Sequence, residues 1–213
     1  SIVGYFNIDL ERKKFFKAYK KKSFWNSIFF DNSNLNYYDL ISKNNSSNLA
    51  IEFIGENKFS EKIIYSDLNK RISALSNFFR DKGIKKGDVI VGYLPNIPDT
   101  VISFLSAAKI GAVWSSCSAD FGTQAVIDRF SQLKPKLLIV ADYYFYNGKK
   151  FQYSKNLRTL KANLNNPLIL KTSYPSKNNI SELKKIYNQK KYSKLNKNIS
   201  LSFNHPLYVL FSS

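Results

Sequence analysis

At 213 residues the chain can bury a sizeable core in one or two domains. Its 44% hydrophobic and 23% charged residues exclude a fibrous or fully disordered class. Its one Cys excludes a disulfide framework, and no apolar run approaches the roughly 20 residues that span a bilayer.

The formal net charge of +18 raises nucleic acid or an anionic membrane as partners. Its distribution argues otherwise. Residues 66–148 hold ten Lys/Arg against seven Asp/Glu, whereas 149–197 hold thirteen against a single acid, Glu182. Lys supplies most of this charge, and Arg is the better reader of phosphates and bases. A solvated basic surface is therefore the expectation, with no nucleic-acid or membrane partner. A basic module binding nucleic acid through the Lys-rich tail stands as the alternative from another class. One Cys fits a reducing, cytoplasmic compartment, and the opening SIVGYFNIDLERKK lacks the order of a secretory signal. The sequence contains no Met, so Ser1 is expected not to be the native start and the chain to be part of a longer protein.

In chain order, residues 1–45 read as a separate lead-in, with one or two amphipathic helices between Leu10 and Phe30. Residues 42–48 (SKNNSSN) form a polar loop. Leu49 to Phe53 and Lys62 to Tyr65 are predicted to pair as strands around Gly55-Glu56-Asn57. Ser66 is the expected N-cap of a helix whose stripe is Leu68, Ile72, Leu75 and Phe79. Gly83 closes that helix. Val89 to Leu94 reads as a short buried strand. Pro98 opens the next helix, with Val101, Phe104, Leu105 and Ala108 as its stripe and Gly111 as its stop.

Ala112 to Ser115 reads as the next strand. Gly122 to Leu133 reads as a helix with Ala125, Ile127 and Phe130 inward, ended by Pro135. Leu137 to Val140 is a third strand. This alternation predicts an α/β fold with a parallel sheet and βαβ crossovers. Later elements are fainter: a strand at Leu168 to Leu170, a helix at Ile180 to Tyr187, and a strand at Leu207 to Phe211.

Two connections could carry chemistry. Residues 115–124 (SSCSADFGTQ) join a strand to a helix, and ligands of open α/β sheets bind beyond the carboxyl ends of strands. Small residues there leave amides free beside a helix N-terminus, which favours an anion. Taken alone, the run reads simply as a loop with a helix cap. Residues 141–149 (ADYYFYNGK) contain the tight-turn pair Asn147-Gly148. Lys149 there is a flexible ammonium suited to a phosphate, but taken alone the run reads as a solvated turn. Cys117 reads as a small buried packer, and Trp114 as a core or cleft residue. Arg129 reads as the partner of Asp128 or of a sheet-end carboxylate. His205, alone and without an acidic companion, is not a metal site.

Residues 92–149, from GYLPNIPDTV through WSSCSADFGTQ to ADYYFYNGK, resemble the early part of the acyl-CoA synthetase (adenylate-forming ligase) family. Asn36 and Tyr37 in LNYYDL resemble a box of its N-terminal extension, and LYVLFSS resembles the strand that leads into its phosphate loop. The resemblance implies residues 1–45 as that extension and 46–213 as the first part of the AMP-binding domain, cut at the phosphate loop. It implies ATP, CoA and a short-chain acid as substrates and Mg2+ as the metal that accompanies ATP. Trp114 to Gly122 resembles the acetoacetate branch of the family, with acetate or propionate as alternatives. The turn at Ser118, Ala119 and Asp120 is implied to touch CoA, although acetate-specific relatives carry Phe-Gly-Gly there and this chain does not. In those relatives two Arg residues hold the CoA 3′-phosphate. Their positions here are Tyr146 and Lys149, and only Lys149 keeps the charge. Ser212 and Ser213 would start the ATP phosphate loop. The resemblance places no catalytic residue and no metal ligand within this chain, so the chain alone is expected to be inactive.

Overall fold

The computed structural model describes residues 30, 33–152, 156–178, 180–194 and 198–212. The helices expected between Leu10 and Phe30 lie outside the described residues. The LNYYDL box forms a short helix, α1 (Tyr37–Ser42), capped by Asn36, whose side-chain oxygen accepts the Tyr38 amide at 3.0 Å. The Asn36 amide group donates to the carbonyls of Lys109 and Ile199, and the buried Tyr38 donates its hydroxyl to Asn69 at 2.9 Å. One capping residue thus starts a helix and also staples it to the main body.

The expected strand pair is β1 (Leu49–Ile54) and β2 (Ser60–Ile64), antiparallel. Strand β2 runs directly into α2 (Tyr65–Asp81), so the N-cap is Ile64 and not Ser66. The first helical amides need no hydroxyl cap, because Tyr65 and Ser66 donate to the carbonyls of Asn48 and Ser46 at 3.0 and 2.9 Å. The predicted stripe of Leu68, Ile72, Leu75 and Phe79 is buried, and Gly83 leaves the helix with φ +77°.

The βαβαβ segment consists of β3 (Val89–Leu94), α3 (Pro98–Lys109), β4 (Val113–Ser118), α4 (Thr123–Phe130) and β5 (Leu137–Ala141). After β5 come a hairpin of β6 (Tyr143–Tyr146) and β7 (Lys149–Gln152), a helix α5 (Leu157–Asn163), a strand β8 (Leu168–Thr172) and a helix α6 (Glu182–Tyr187). The main sheet is parallel, in the order β4-β3-β5-β8. Its inner strands are apolar throughout: all five residues of β5 are buried, as expected where both faces are covered.

Several details depart from the sequence reading. The buried face of α3 includes Ile102, Leu105, Ala107 and Ala108, while Val101 is exposed. The packed side is shifted because α3 is held by both α1 and α2 as well as by the sheet. Strand β4 runs to Ser118, three residues further than expected, because its neighbour β3 keeps pairing through Leu94↔Ser118. In α4 the fully buried residues are Val126, Ile127 and Phe130, with Ala125 only half-buried. The Leu207 to Phe211 run lies parallel to β4, bridging it through the backbone at Trp114 and through the side chains of Ser115, which donates to the Val209 carbonyl at 2.8 Å, and Ser116, which bonds the Tyr208 hydroxyl. The Trp114 amide donates to the Leu207 carbonyl at 3.0 Å, and the Val209 amide donates to the Trp114 carbonyl at 2.8 Å.

Candidate functional site

The carboxyl ends of β3, β4 and β5 form the edge where open α/β sheets take ligands. At β4 this edge is built by Ser118, Ala119 and Asp120, with Ser118 and Asp120 exposed and Ala119 buried. The turn closes when the Phe121 amide donates to the Ser118 carbonyl at 3.2 Å. It is then tied to β3, because the Tyr93 hydroxyl donates to the Phe121 carbonyl. Burial, followed by the neighbours Tyr144, Cys117 and Asp120, pushes the Tyr93 phenol up to about 12, so it stays a donor at neutral pH. Gly122 caps α4 without a side-chain bond.

Arg129 pairs neither with Asp128 nor with a sheet-end carboxylate. Its guanidinium donates to the Ala125 carbonyl at 3.0 Å and lies 4.9 Å from the Phe121 ring centroid. Adjacent helical residues point about 100° apart, so Asp128 faces away and accepts from Gln124 at 2.7 Å instead. Cys117 is buried, and burial pushes its thiol up to about 11 against the opposing pull of Arg129. It is a packing residue, as its position suggested. Trp114, 1% exposed, belongs to the core. His205 places Nε2 at 2.8 Å from the Gly111 carbonyl oxygen, a structural contact.

Asp142, at the end of β5, accepts the amides of Tyr143 and Tyr174 and the hydroxyl of Ser173. It spends its oxygens on tying β5 to the segment after β8. Beyond it lies the β6–β7 hairpin, which the sequence reading took for a turn. Asn147 and Gly148, with φ +49° and +71°, close it as a two-residue turn between the cross-strand pair Tyr146 and Lys149. Lys149 therefore sits at a hairpin tip, exposed, beside Tyr146 at 66% exposure.

The hairpin root rests on aromatic residues. Tyr143, Phe145 and Tyr174 pack with Phe53 of β1, with ring centroids 5.2–6.0 Å apart. Tyr144 stacks on Phe151 at 5.1 Å, and its phenol is pushed up first by burial and then by Asp120. Lys149 is carried out to the hairpin tip near the β1–β2 turn, where the Gly148 amide donates to Glu56 at 2.8 Å. Ser118, Ala119 and Asp120 stay together on one turn. Ser212 is exposed and lies past the Val209 bond, and Ser213 lies outside the described residues. Among the described residues no group of three or more His, Cys, Asp or Glu side chains is placed to hold a metal. No helix among them is long and apolar enough to cross a membrane.

Sequence reasoning missed Tyr93, Tyr144 and Glu56 of the β1–β2 turn. A usable signal existed for the hairpin: Asn147-Gly148 lies between YYFY and KKFQ, the pattern of a tight β-hairpin.

This parallel sheet carries an open carboxyl edge between a helix-capping turn and a hairpin. The chain belongs to the AMP-binding enzyme family, which matches residues 43–213. It is similar to acetoacetyl-CoA synthetases. That of Rhizobium meliloti is 39% identical over 142 residues, covering 67% of this chain and 22% of that protein. That of Xenopus tropicalis is 35% identical over 203 residues, covering 87% and 30%. The structure of acetoacetyl-CoA synthetase from Streptomyces lividans superposes with a TM-score of 0.87 over 99% of this chain and 33% of that one, and at 24% identity this likeness speaks to the fold. The chain thus spans between a fifth and a third of the length of these relatives.

Proposed function

We propose that this chain is the N-terminal part of an ATP-dependent, AMP-forming ligase that activates acetoacetate and transfers it to CoA. The observation that carries the reading is the similarity to acetoacetyl-CoA synthetases of separate organisms at 32–39% identity. Residues 1–45 are then the N-terminal extension and 46–213 the first part of the adenylation domain. The acid's carboxylate attacks the α-phosphorus of ATP and expels pyrophosphate, leaving an acyl-adenylate. The CoA thiol then attacks the acyl carbon, the C–O bond to AMP breaks, and AMP leaves with the electron pair. ATP arrives with Mg2+, whose charge screens the phosphates. The reaction is soluble chemistry on small molecules and fits a cytoplasmic enzyme.

Within this chain Ser118 and Asp120 are the exposed positions of the turn assigned to CoA, with Ala119 contributing backbone. Lys149 takes the CoA 3′-phosphate, and Ser212 and Ser213 begin the ATP phosphate loop. The test is acid-dependent AMP formation by the full-length protein. Acetoacetate is expected to outperform acetate and propionate, and a preference for either of those would replace the acid while leaving the class intact. Lys149→Ala is expected to raise the KM for CoA by about tenfold, the loss of one charge-assisted phosphate contact, with acid-dependent pyrophosphate exchange unchanged. The 213-residue chain alone is expected to show no pyrophosphate exchange.

A further inference from the structure

We propose that Glu56 is a positioning residue for CoA: its carboxylate holds the hairpin tip that presents Lys149. The inference rests on the reading above that Lys149 meets the 3′-phosphate. In a two-residue turn with both φ angles positive, the closing pair bonds to itself and the amide of the second turn residue faces outward. Here that amide is Gly148 N–H, and Glu56 Oε2 accepts it at 2.8 Å. The bond joins residues 92 positions apart and is assisted by the carboxylate charge.

Glu56 is itself held. The Gly55 amide donates to the Phe59 carbonyl at 2.8 Å and the Lys58 amide to the Gly55 carbonyl at 3.0 Å. Asn57 next to it donates its side-chain amide to the Pro175 carbonyl at 2.8 Å while its oxygen accepts the Phe59 amide. Gly55 has no room for a side chain, since a Cβ would stand 2.6 Å from Asn57 Oδ1 and 3.1 Å from the Phe53 ring. The β1–β2 turn is therefore a fixed post.

The hairpin needs one. All four residues of β7 are exposed, and a two-stranded ribbon is marginal by itself. Its root is fixed by the Phe53–Tyr143–Phe145–Tyr174 cluster, but Lys149 lies at the other end. A long, flexible ammonium side chain recognises a phosphate well only if its Cα is placed. A carboxylate close to an anion site is unfavourable by charge alone. Its presence is explained by the amide it captures.

The experiment measures CoA and dephospho-CoA affinity of the full-length protein as wild type, Glu56→Ala, Glu56→Gln and Lys149→Ala, with hydrogen exchange at the Gly148 amide. Wild type is expected to prefer CoA over dephospho-CoA. Glu56→Ala is expected to lose about fivefold in CoA affinity, the loss expected for one exposed charged hydrogen bond, with dephospho-CoA binding unchanged and Gly148 exchange accelerated. Glu56→Gln keeps an acceptor oxygen and is expected to retain at least wild-type CoA affinity and the slow exchange. Wild-type CoA affinity in Glu56→Ala, or equal losses for CoA and dephospho-CoA, would overturn the role of Glu56 alone. A wild type that shows no preference for CoA, with Lys149→Ala equal to it, would remove the Lys149 reading and this inference with it.

Discussion

Gly92→Ala is the sharpest probe of how the most characteristic segment of this chain is packed. Gly92 lies in β3, one ladder step diagonal from Trp114, whose direct partner is Ile90. A Cβ built on Gly92 would stand 2.7 Å from Trp114 Cζ2, 2.8 Å from Cη2 and 3.0 Å from Leu94 Cδ1. Carbon atoms need about 3.5–4.0 Å, so the overlap approaches 1 Å. The neighbours cannot yield cheaply. Trp114 is 1% exposed and packed against Phe104, and β3 is paired on both sides by β4 and β5. Overpacking of this kind costs about 2 kcal/mol. For a domain of this size that corresponds to a fall in melting temperature of about 4–8 °C. Urea and thermal unfolding would read it. Trp114→Phe removes the ring carbons that clash, so the double variant Gly92→Ala/Trp114→Phe is expected to show a favourable coupling of about 1 kcal/mol in a double-mutant cycle. A Gly92→Ala protein with the wild-type midpoint, or a cycle with no coupling, would refute the reasoning.

Two further predictions concern buried titratable groups. Lys109 is 3% exposed at the end of α3, with Nζ 3.2 Å from Ser73 Oγ and 4.5 Å from the centroid of the Tyr38 ring, and burial lowers its ammonium to about 8. Between about 8 and the ordinary value near 10.5 the unfolded chain binds more protons than the folded one, so this group makes stability rise with pH there. Lys109→Met is expected to flatten that rise and to stabilise the fold by about 1 kcal/mol at pH 7, and an unchanged slope in urea titrations at successive pH values would refute it. Cys117, with its thiol raised to about 11, is expected to react with iodoacetamide at neutral pH about a hundredfold more slowly in the folded chain than in urea, since the thiolate fraction falls by roughly two decades; rapid stoichiometric labelling of the native protein would contradict its placement.

What the sequence shows and what it hides have physical causes here. The alternating run from Val89 to Ala141 was legible because each of its signals is local. Pro98 opens α3, Gly111 stops it at φ +70°, and β5 reads as an unbroken apolar run because it is buried on both faces. The misreadings occur where a distant partner decides. Ser66 looks like a cap, but carbonyls from the Ser46–Asn48 loop already satisfy the first amides of α2. Arg129 looks like an ion-pair partner, but Phe121 and the Ala125 carbonyl occupy its guanidinium. The same reasoning bears on the candidate site. Ser118, Ala119 and Asp120 are singled out by the resemblance of their run to the family, since the residues alone read as a loop with a helix cap. Lys149 could be singled out only by resemblance, since its sequence neighbourhood is an ordinary turn. The bond at the hairpin tip beside Lys149 comes from Glu56, ninety-two residues from the Gly148 amide that it binds, and no local pattern can show such a pairing. The proposed site is therefore hard to read from sequence: its turn and its lysine are both singled out by resemblance, and the bond at the hairpin tip depends on a partner that only the fold brings near.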